Sequence, residues 1–327
     1  MNTDLENRTE NTPDLSVDIA GVRLQNPVMT ASGTFGSGME YSDFVDLSRL
    51  GAVVTKGVSG VPWEGNPTPR VAETPAGMLN AIGLQNPGVE VFCERDLAFL
   101  SKYRAKAAAG EPGENSPAGP RVIVNVCGHT VEEYLEVVER LSDEPVDLLE
   151  INVSCPNVKA GAIQFGQNAD SLMDVTRQIK RIAKQPVIMK LTPNVTNIAE
   201  MASAAEAGGA DAVSLINTLL GMKIDVERRS FVLANRTGGL SGPAIRPVAV
   251  RMVYQAAQAV KIPVIGMGGI ASAEDALEFI LAGASAVAVG CMTFHEPETV
   301  IRVIDGLKDY MIRHGIGRIG DLIGAVR

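Results

Sequence analysis

The stretch PVIGMGGIASAEDALEFILAGASAVAVG, residues Pro263–Gly290, decides the fold. It starts with an apolar run at Pro263–Gly268, continues with helically spaced apolar residues over Ala273–Leu281, and ends with a second apolar run at Ala286–Gly290. Two apolar runs joined by an amphipathic segment are typical of neighbouring parallel strands that are covered by helices. The stretch therefore predicts a β-α-β unit.

The same unit recurs along the chain, which predicts eight strands in all. The other predicted strands are Pro27–Ala31, Ala52–Val58, Val122–Cys127, Leu148–Ser154, Val187–Thr192 and Ala212–Thr218. The other predicted helices are Val131–Leu141, Ser171–Lys184, Ile198–Ala207 and Pro247–Val260. Eight such units match a (β/α)8 TIM barrel, which takes about 250 residues plus insertions. A doubly wound open sheet would show fewer strands and a GxGxxG turn after the first, and the chain has neither.

Segments outside the repeat predict additions to the barrel. Leu15–Leu24 alternates around Ala20-Gly21 and indicates a small hairpin beneath the barrel, whereas Gly110–Pro120 is a polar, Pro/Gly-rich surface loop. Residues 1–14 are polar and acidic and are expected to form a flexible tail. No domain boundary is visible after it, so residues 15–327 are expected to form a single domain.

Composition excludes several classes of protein. The 327 residues are 46% hydrophobic and 20% charged, as in ordinary globular proteins, and the net charge of −9 comes without a Lys/Arg-rich run. Nucleic acids and anionic membranes are therefore not expected partners. No uninterrupted apolar stretch approaches the length of about 18 residues that a membrane span needs. We expect a cytoplasmic protein.

Cysteine and histidine spacing argues against a metal site. The four cysteines, at 93, 127, 155 and 291, contain no CxxC pair, and the three histidines, at 129, 295 and 314, have no ligand-pair spacing. This pattern fits reduced thiols rather than zinc, an iron–sulfur cluster or a disulfide framework. We expect no metal in this chain, and we expect Cys93 to be a packing residue on a helix.

Polar residues follow the ends of most predicted strands. In a TIM barrel these ends converge on one mouth, where the active site lies. Amide and ammonium groups gathered there suit a flat, oxygen-rich, anionic ligand. The alternative is that these residues are scattered helix caps and turn formers. The residues concerned are Ser32, Lys56, Asn125, Asn152, Lys190, Asn217 and Thr218.

Glycines follow the last two predicted strands, at Gly266–Ile270 and at Gly290. Loops at these positions hold phosphate in many TIM barrels, because backbone N–H groups and a helix N-terminus approach the anion there. Tight turns also require glycine. The position of the glycines indicates a phosphorylated cofactor or substrate.

The segment Glu150–Asn157 (EINVSCPN) places Cys155 just beyond a strand end. A free cysteine has a pKa of about 8.5, so it can act as a base near neutral pH when its surroundings favour the thiolate. Val158–Gly166 follows and is expected to fold over the site as a lid. The alternative is a buried structural cysteine, the commoner role of this residue.

Five motifs resemble class 1 dihydroorotate dehydrogenases, in order from about Leu15 to the C-terminus. They are Thr55–Val58 (TKGV), Asn80–Gly88 (NAIGLQNPG), Asn152–Asn157 (NVSCPN), Gly238–Ile245 (GGLSGPAI) and Gly266–Ile270 (GMGGI). The resemblance implies oxidation of (S)-dihydroorotate to orotate in pyrimidine (UMP) biosynthesis. It also implies FMN at the barrel mouth, with Cys155 as the base.

The resemblance assigns roles residue by residue. FMN would be lined by Ser32, Lys56, Gly57, Asn125, Asn152, Lys190, Ile216, Gly242, Gly268, Gly269, Gly290 and Cys291. Dihydroorotate would be held by Lys56, Asn80, Ala81, Ile82, Gly83, Leu84, Asn152, Asn217 and Thr218. The family often has Gly-Thr where this chain has Gly290-Cys291, so a role for the Thr hydroxyl would imply weaker phosphate binding.

The expected lid, with Asn157 before it (NVKAGAIQFG), is similar to the NAD-linked type, class 1B. That type implies a partner subunit carrying FAD and a [2Fe–2S] cluster, and a homodimer core within a heterotetramer. Two alternatives stay open. One is an FMN-dependent enzyme resembling dihydropyrimidine dehydrogenase, which acts on uracil or thymine. The other is a flavin-free, phosphate-binding lyase or isomerase on the same barrel.

Overall fold

The computed structural model describes residues 12–109, 119–153 and 165–327. The strands are β1 Val17–Ile19, β2 Val22–Leu24, β3 Val28–Thr30, β4 Ala52–Val54, β5 Val71–Thr74, β6 Gly77–Asn80, β7 Arg121–Val126, β8 Leu148–Asn152, β9 Val187–Lys190, β10 Ala212–Leu215, β11 Leu219–Met222, β12 Ile224–Asp225, β13 Ser230–Phe231, β14 Thr237–Ser241, β15 Val264–Met267 and β16 Ala286–Val289. The α-helices are α1 Val89–Val91, α2 Ala98–Ala109, α3 Val131–Leu141, α4 Ala169–Ile182, α5 Ile198–Ala207, α6 Arg246–Ala259, α7 Ala273–Leu281, α8 Met292–His295 and α9 Thr299–His314. A π-helical turn spans Phe92–Leu97, and 3-10 turns span Leu47–Arg49, Phe165–Gln167, Pro243–Ile245 and Ile319–Leu322.

Eight parallel strands close into a barrel in the order β3-β4-β7-β8-β9-β10-β15-β16, and β16 returns to pair with β3. Every residue of β8, β9, β10, β15 and β16 is buried, since the barrel interior covers one face and the helices cover the other. The predicted (β/α)8 barrel is confirmed, and each of the eight predicted strands overlaps one barrel strand, although β7 begins one residue before its predicted start, at Arg121.

The barrel strands end earlier than predicted where a strand gives way to a loop at the mouth. β4 ends at Val54 rather than Val58, and β10 ends at Leu215 rather than Thr218. Beyond β4 the ladder is interrupted, because the Lys56 N–H bonds to the Gly36 carbonyl at 2.8 Å, and Val58 then forms an isolated bridge with Val126. The apolar runs therefore predict the position of each strand better than its end.

Helix starts are set by side-chain caps. Helices α3, α5 and α7 have the predicted bounds, and Thr130, Asn197 and Ser272 each accept a backbone N–H from the first turn of one of them. Helices α4 and α6 differ from prediction by one or two residues at each end.

The predicted hairpin is present as β1 and β2, which pair antiparallel with Val17 opposite Leu24. Its turn residues, Ala20 and Gly21, have φ values of 54° and 82°, as a tight hairpin requires. Arg121, which begins β7, donates to the Arg23 carbonyl at 2.9 Å, so the hairpin lies beneath the barrel as predicted.

An additional antiparallel sheet, which we call the mouth sheet, has the strand order β11-β14-β6-β5. No pattern in the sequence predicted this sheet. Its strands come from two insertions, one after β4 and one after β10, and β6 joins them by pairing with β14. Leu79 and Leu233 are buried in a small apolar cluster of its own. The mouth sheet brings the segment that starts at Asn80 to the barrel mouth.

Several predictions lie wholly or partly outside the described residues. They include residues 1–11 of the expected tail, residues 110–118 of the expected surface loop, and residues 158–164 of the expected lid. The single domain of residues 15–327 stays a prediction. Within the described ranges, no helix is both long and apolar enough to cross a membrane.

Candidate active site

A cavity of about 410 Å³ opens at the carboxyl ends of the barrel strands, between the barrel and the mouth sheet. Every predicted site residue that the structure describes lines it. These residues are Ser32, Lys56, Gly57, Asn80, Ala81, Ile82, Gly83, Leu84, Asn125, Asn152, Lys190, Ile216, Asn217, Thr218, Gly242, Gly268, Gly269, Gly290 and Cys291. Residues more than 250 positions apart in the sequence are thus brought into one site.

Strand register places the polar floor of this cavity. Asn125 on β7 lies opposite Glu150 on β8, and Asn152 on β8 lies opposite Lys190 on β9. Because side chains alternate along a strand, Glu150 and Asn152 share the inner face of the barrel. All four side chains are buried, and Lys190 is only 4% exposed. An ammonium and two amides therefore line the floor of the cavity, and the Glu150 carboxylate adjoins them in the barrel interior without lining the cavity itself.

Glu150 connects this floor by hydrogen bonds. Its Oε1 accepts from Asn125 Nδ2 at 2.6 Å and from Lys190 Nζ at 3.3 Å, and its Oε2 accepts from Ser214 Oγ at 2.8 Å. Lys190 Nζ also donates to Ser32 Oγ at 2.7 Å. A buried carboxylate that is satisfied by three donors holds each of them in one orientation.

Three buried side-chain oxygens in the described residues have no hydrogen-bond partner, those of Thr74, Asn125 and Gln185, and of these residues only Asn125 lines the cavity. The Asn125 oxygen lies beside Gly57, where an added Cβ would be 3.1 Å from this oxygen. An unsatisfied buried carbonyl costs free energy, so it marks a place where a ligand N–H is expected.

Lys56 supplies the second cation of the cavity. Its side chain is half-buried, and no described carboxylate forms an ion pair with it. Burial lowers the pKa of the Lys56 ammonium below its ordinary value of 10.5. The Arg70 guanidinium acts in the same direction and also lines the cavity. An anionic ligand group would therefore meet positive charge that no carboxylate of the described residues neutralises.

Asparagines surround the upper part of the cavity. Asn217 Nδ2 lies 3.5 Å from Asn152 Oδ1, and the Asn217 oxygen accepts the Thr218 N–H at 2.8 Å. The buried Tyr134 hydroxyl donates to the Asn152 carbonyl at 2.8 Å and fixes the end of β8. On the mouth sheet, Asn80 Nδ2 donates to the Gly239 carbonyl at 3.4 Å. These amides can bind the carbonyl and N–H edges of a flat ring.

Glycines close the cavity on the side of β15 and β16. Gly269 has a φ of 81°, and a Cβ there would lie 2.7 Å from the Gly242 carbonyl. Gly242 has a φ of 106°, and its Cβ would lie 2.5 Å from the Gly77 Cα. The backbone can pack this closely only without side chains, which leaves its N–H groups accessible to a phosphate.

After β15, the helix N-terminus lies further from the glycine pair than expected. Helix α7 begins at Ala273, four residues beyond Gly269. Its first turn is already capped, because Ser272 Oγ accepts the Asp275 N–H and Asp275 accepts the N–H groups of Ala271 and Ser272. The glycine loop itself, rather than the helix, is available to an anion.

Cys291 lies between Gly290 and the short helix α8, as the N-cap residue of that helix. Its thiol is partly buried, which raises its pKa, while a hydrogen bond with Ser241 acts in the opposite direction. This residue therefore provides a neutral, weakly polar group where the family often has a threonine hydroxyl.

Cys155 lies outside the described residues, as do Ser154 and Pro156. The neighbouring described cysteine at a strand end, Cys127, is fully buried and does not line the cavity. Cys93 is partly buried on the π-helical turn, and burial raises the pKa of its thiol to about 11. This agrees with the packing role predicted for Cys93.

Three polar residues in or beside the site were not predicted from the sequence, and only Arg70 among them lines the cavity. Glu150 and Ser214 lie within apolar strands, and Arg70 lies in the first insertion. The period of two along β8 offered a signal for Glu150, since it places this residue on the same face as Asn152. Arg70 had no such signal, because its place at the cavity depends on the mouth sheet.

Comparison with known proteins decides the family. The family model for dihydroorotate dehydrogenase matches residues 14–311. The chain belongs to the dihydroorotate dehydrogenase family. A relative from Lachnoclostridium phytofermentans, named "Dihydroorotate dehydrogenase B (NAD(+)), catalytic subunit", is 64% identical over 312 residues, which is 95% of this chain and 99% of the relative.

Relatives with the same name occur in other bacteria. The one from Alkaliphilus oremlandii is 57% identical, over 95% of this chain and 98% of its own length. The one from Thermoanaerobacter pseudethanolicus is 52% identical, over 96% of this chain and 99% of its own length. The likeness to dihydroorotate dehydrogenases therefore extends through both the barrel and the mouth sheet.

Proposed function

We propose that this chain oxidises (S)-dihydroorotate to orotate in pyrimidine biosynthesis, as the catalytic subunit of an NAD-linked dihydroorotate dehydrogenase. The observation that carries the proposal is the half-buried ammonium of Lys56, which has no carboxylate partner in the described chain and shares its cavity with four asparagines. A flat ring with a carboxylate and imide edges matches this arrangement. Uracil and thymine carry no carboxylate, so the charge on Lys56 favours dihydroorotate over these neutral pyrimidines.

The cavity also fits a flavin. The buried, unpartnered oxygen of Asn125 suits a flavin imide N–H, and the close-packed glycines at Gly242 and Gly269 suit a phosphate. FMN carries one phosphate and no second nucleotide. The glycine loops would provide one phosphate-binding site, which is the number that FMN needs. The residues that would hold it are Ser32, Lys56, Gly57, Asn125, Asn152, Lys190, Ile216, Gly242, Gly268, Gly269, Gly290 and Cys291.

The chain's own residues would perform the remaining steps. FMN, when bound, would supply the hydride-accepting chemistry at the substrate's C6. Cys155 would remove the proton from C5, which a ring carbonyl beside it makes weakly acidic. Lys56 would pair with the substrate carboxylate, while Asn80, Asn152 and Asn217 would orient the ring. Lys190 would stabilise the negative charge that accumulates on reduction.

Electrons would leave through a second protein. The relatives are named catalytic subunits of NAD(+)-dependent enzymes, which supports a separate electron-transfer subunit. We propose that this subunit carries FAD and a [2Fe–2S] cluster, and that two copies of the present chain form the core of a heterotetramer.

The decisive experiment starts with the purified chain and its visible spectrum. Dihydroorotate is then added without oxygen. A yellow protein whose flavin absorbance bleaches on addition supports the proposal, and NAD+ reduction only with a co-expressed partner supports the second subunit. A flavin that does not bleach would favour a pyrimidine reductase. A colourless protein that cannot be reconstituted with FMN would favour a flavin-free barrel enzyme.

A further inference from the structure

We propose that Glu150 is a positioning residue that sets both the orientation of the Asn125 amide and the net charge beside Lys190, and thereby adjusts the reduction potential of the bound flavin. This inference rests on the proposed function, because it requires a flavin in the cavity. It assigns a role to a carboxylate that does not itself line the cavity.

Glu150 fixes the orientation of the Asn125 side-chain amide. An asparagine side chain has one accepting end and one donating end. Glu150 Oε1 accepts from Asn125 Nδ2 at 2.6 Å, so the donating end is committed to the carboxylate. The Asn125 oxygen is then necessarily the end that faces Gly57 at the cavity wall, where it has no partner. Glu150 therefore makes this point of the wall an acceptor.

Glu150 also partly neutralises the positive charge of Lys190. Glu150 is 2% exposed and Lys190 is 4% exposed, so their interaction is only weakly screened by water. The distance between Glu150 Oε1 and Lys190 Nζ is 3.3 Å, whereas the bond from Lys190 to Ser32 is shorter, at 2.7 Å. Lys190 is thus held at the cavity by Ser32 and is partly neutralised by Glu150. The positive charge of Lys190 is available to a ligand, but the neighbouring Glu150 carboxylate weakens its electrostatic effect.

The Asn125 oxygen and the Lys190 ammonium together match one edge of a flavin. An acceptor beside a cation is complementary to an imide N–H next to a carbonyl that becomes negatively charged on reduction. The pyrimidine edge of a flavin has this pattern. The acceptor contributes to binding both redox forms, whereas the cation favours the reduced form. Because Glu150 partly neutralises the cation, it lowers the preference of the site for the reduced form.

The test compares midpoint potentials of the FMN-loaded proteins by equilibration with reference dyes. Glu150→Gln removes the charge with little change of shape. We expect the variant to bind reduced flavin about tenfold more tightly relative to oxidised flavin, which raises the two-electron potential by about 30 mV. Ser214→Ala is the matched control, because it removes one hydrogen bond to Glu150 and keeps both charges. We expect it to lower the melting temperature and leave the potential unchanged.

A potential in Glu150→Gln equal to that of the wild type would overturn the electrostatic role. It would indicate that the carboxylate only supports the fold. A wild-type protein that binds no FMN would instead overturn the proposed function, before any variant is compared. The two failures are therefore distinguishable.

A second measurement remains informative if Glu150→Gln does not fold. FMN methylated at the imide nitrogen, N3, has no N–H to donate. We expect wild-type apoprotein to bind it at least about tenfold more weakly than FMN, by quenching of flavin fluorescence. Asn125→Ala should bind the two flavins alike, because the acceptor is gone and the space is open. Equal binding by the wild type would overturn the assigned amide orientation.

Discussion

Replacing Lys56 by methionine tests the charge at the centre of the proposed substrate site. Methionine keeps most of the length of the side chain and removes the ammonium. A hydrogen bond to a charged group contributes about 1.5–3 kcal/mol, more than the ~1 kcal/mol or less of an exposed ion pair. The range of about 1.5–3 kcal/mol applies here, because Lys56 is half-buried and the ligand would displace no described carboxylate from it. At about 1.4 kcal/mol per tenfold, orotate should bind about 10- to 150-fold more weakly.

The assay is the change in flavin absorbance as orotate is titrated into the FMN-loaded protein, with uracil as the uncharged ligand. Uracil affinity should change by less than about threefold, since an uncharged ring offers no partner to the ammonium. Arg70→Met is the matched variant, because Arg70 lines the same cavity but is bonded to Asn66 and Gln85. Its effect should be smaller than that of Lys56→Met. Unchanged orotate binding by Lys56→Met, or equal losses for orotate and uracil, would refute the reasoning.

Three further results are expected. Orotate affinity should fall as the pH rises through the lowered pKa of Lys56, below 10.5, because the ammonium then loses its proton; titrations between about pH 7 and about pH 10 would measure this. Gly242→Ala should lower the free energy of unfolding by at least ~2 kcal/mol in denaturant, since its φ is 106° and its Cβ would lie 2.5 Å from the Gly77 Cα. Gly290→Ala should cost less than ~0.5 kcal/mol, since its nearest contact is 3.6 Å. Cys155→Ser should slow flavin bleaching by dihydroorotate about 10²- to 10⁴-fold near neutral pH and leave FMN binding intact.

Each of these has a contrary outcome. A pH dependence of orotate binding that persists in Lys56→Met would assign it to another group. Equal stability losses for the two glycine variants would mean that the close packing at Gly242 is not strained by a side chain. An unchanged bleaching rate in Cys155→Ser would remove that cysteine from the mechanism.

The barrel was predictable because its strands are buried on both faces. Burial of that kind leaves uninterrupted apolar runs, such as Ala286–Val289, whose position depends on local sequence alone. Helix starts were equally local, because residues such as Thr130 and Ser272 cap the turn that follows them. The strand ends were less predictable, since backbone contacts from distant segments decide where a ladder stops.

The mouth sheet was not predictable by the same reasoning. Its strands are only partly buried. In β11, the four residues alternate between half-buried and exposed. Its central pairing joins Asn80 to Gly239, between two insertions that carry no local sign of each other. Arg70 was missed as a consequence. Glu150 was missed for a different reason, because a carboxylate inside an apolar strand has meaning only once Asn125, Lys190 and Ser214 are seen around it.

The site is built from two separate parts of the architecture, the barrel and the mouth sheet. The floor, with Asn125 and Lys190, belongs to barrel strands that also hold the core together, so its residues are constrained by the fold itself. The segment Asn80–Leu84 is positioned by the mouth sheet, which has a small apolar cluster of its own. Substitutions in the two insertions can therefore alter which ring is accepted without disturbing the barrel. The barrel thus constrains one half of the site, while the other half can change together with the two insertions.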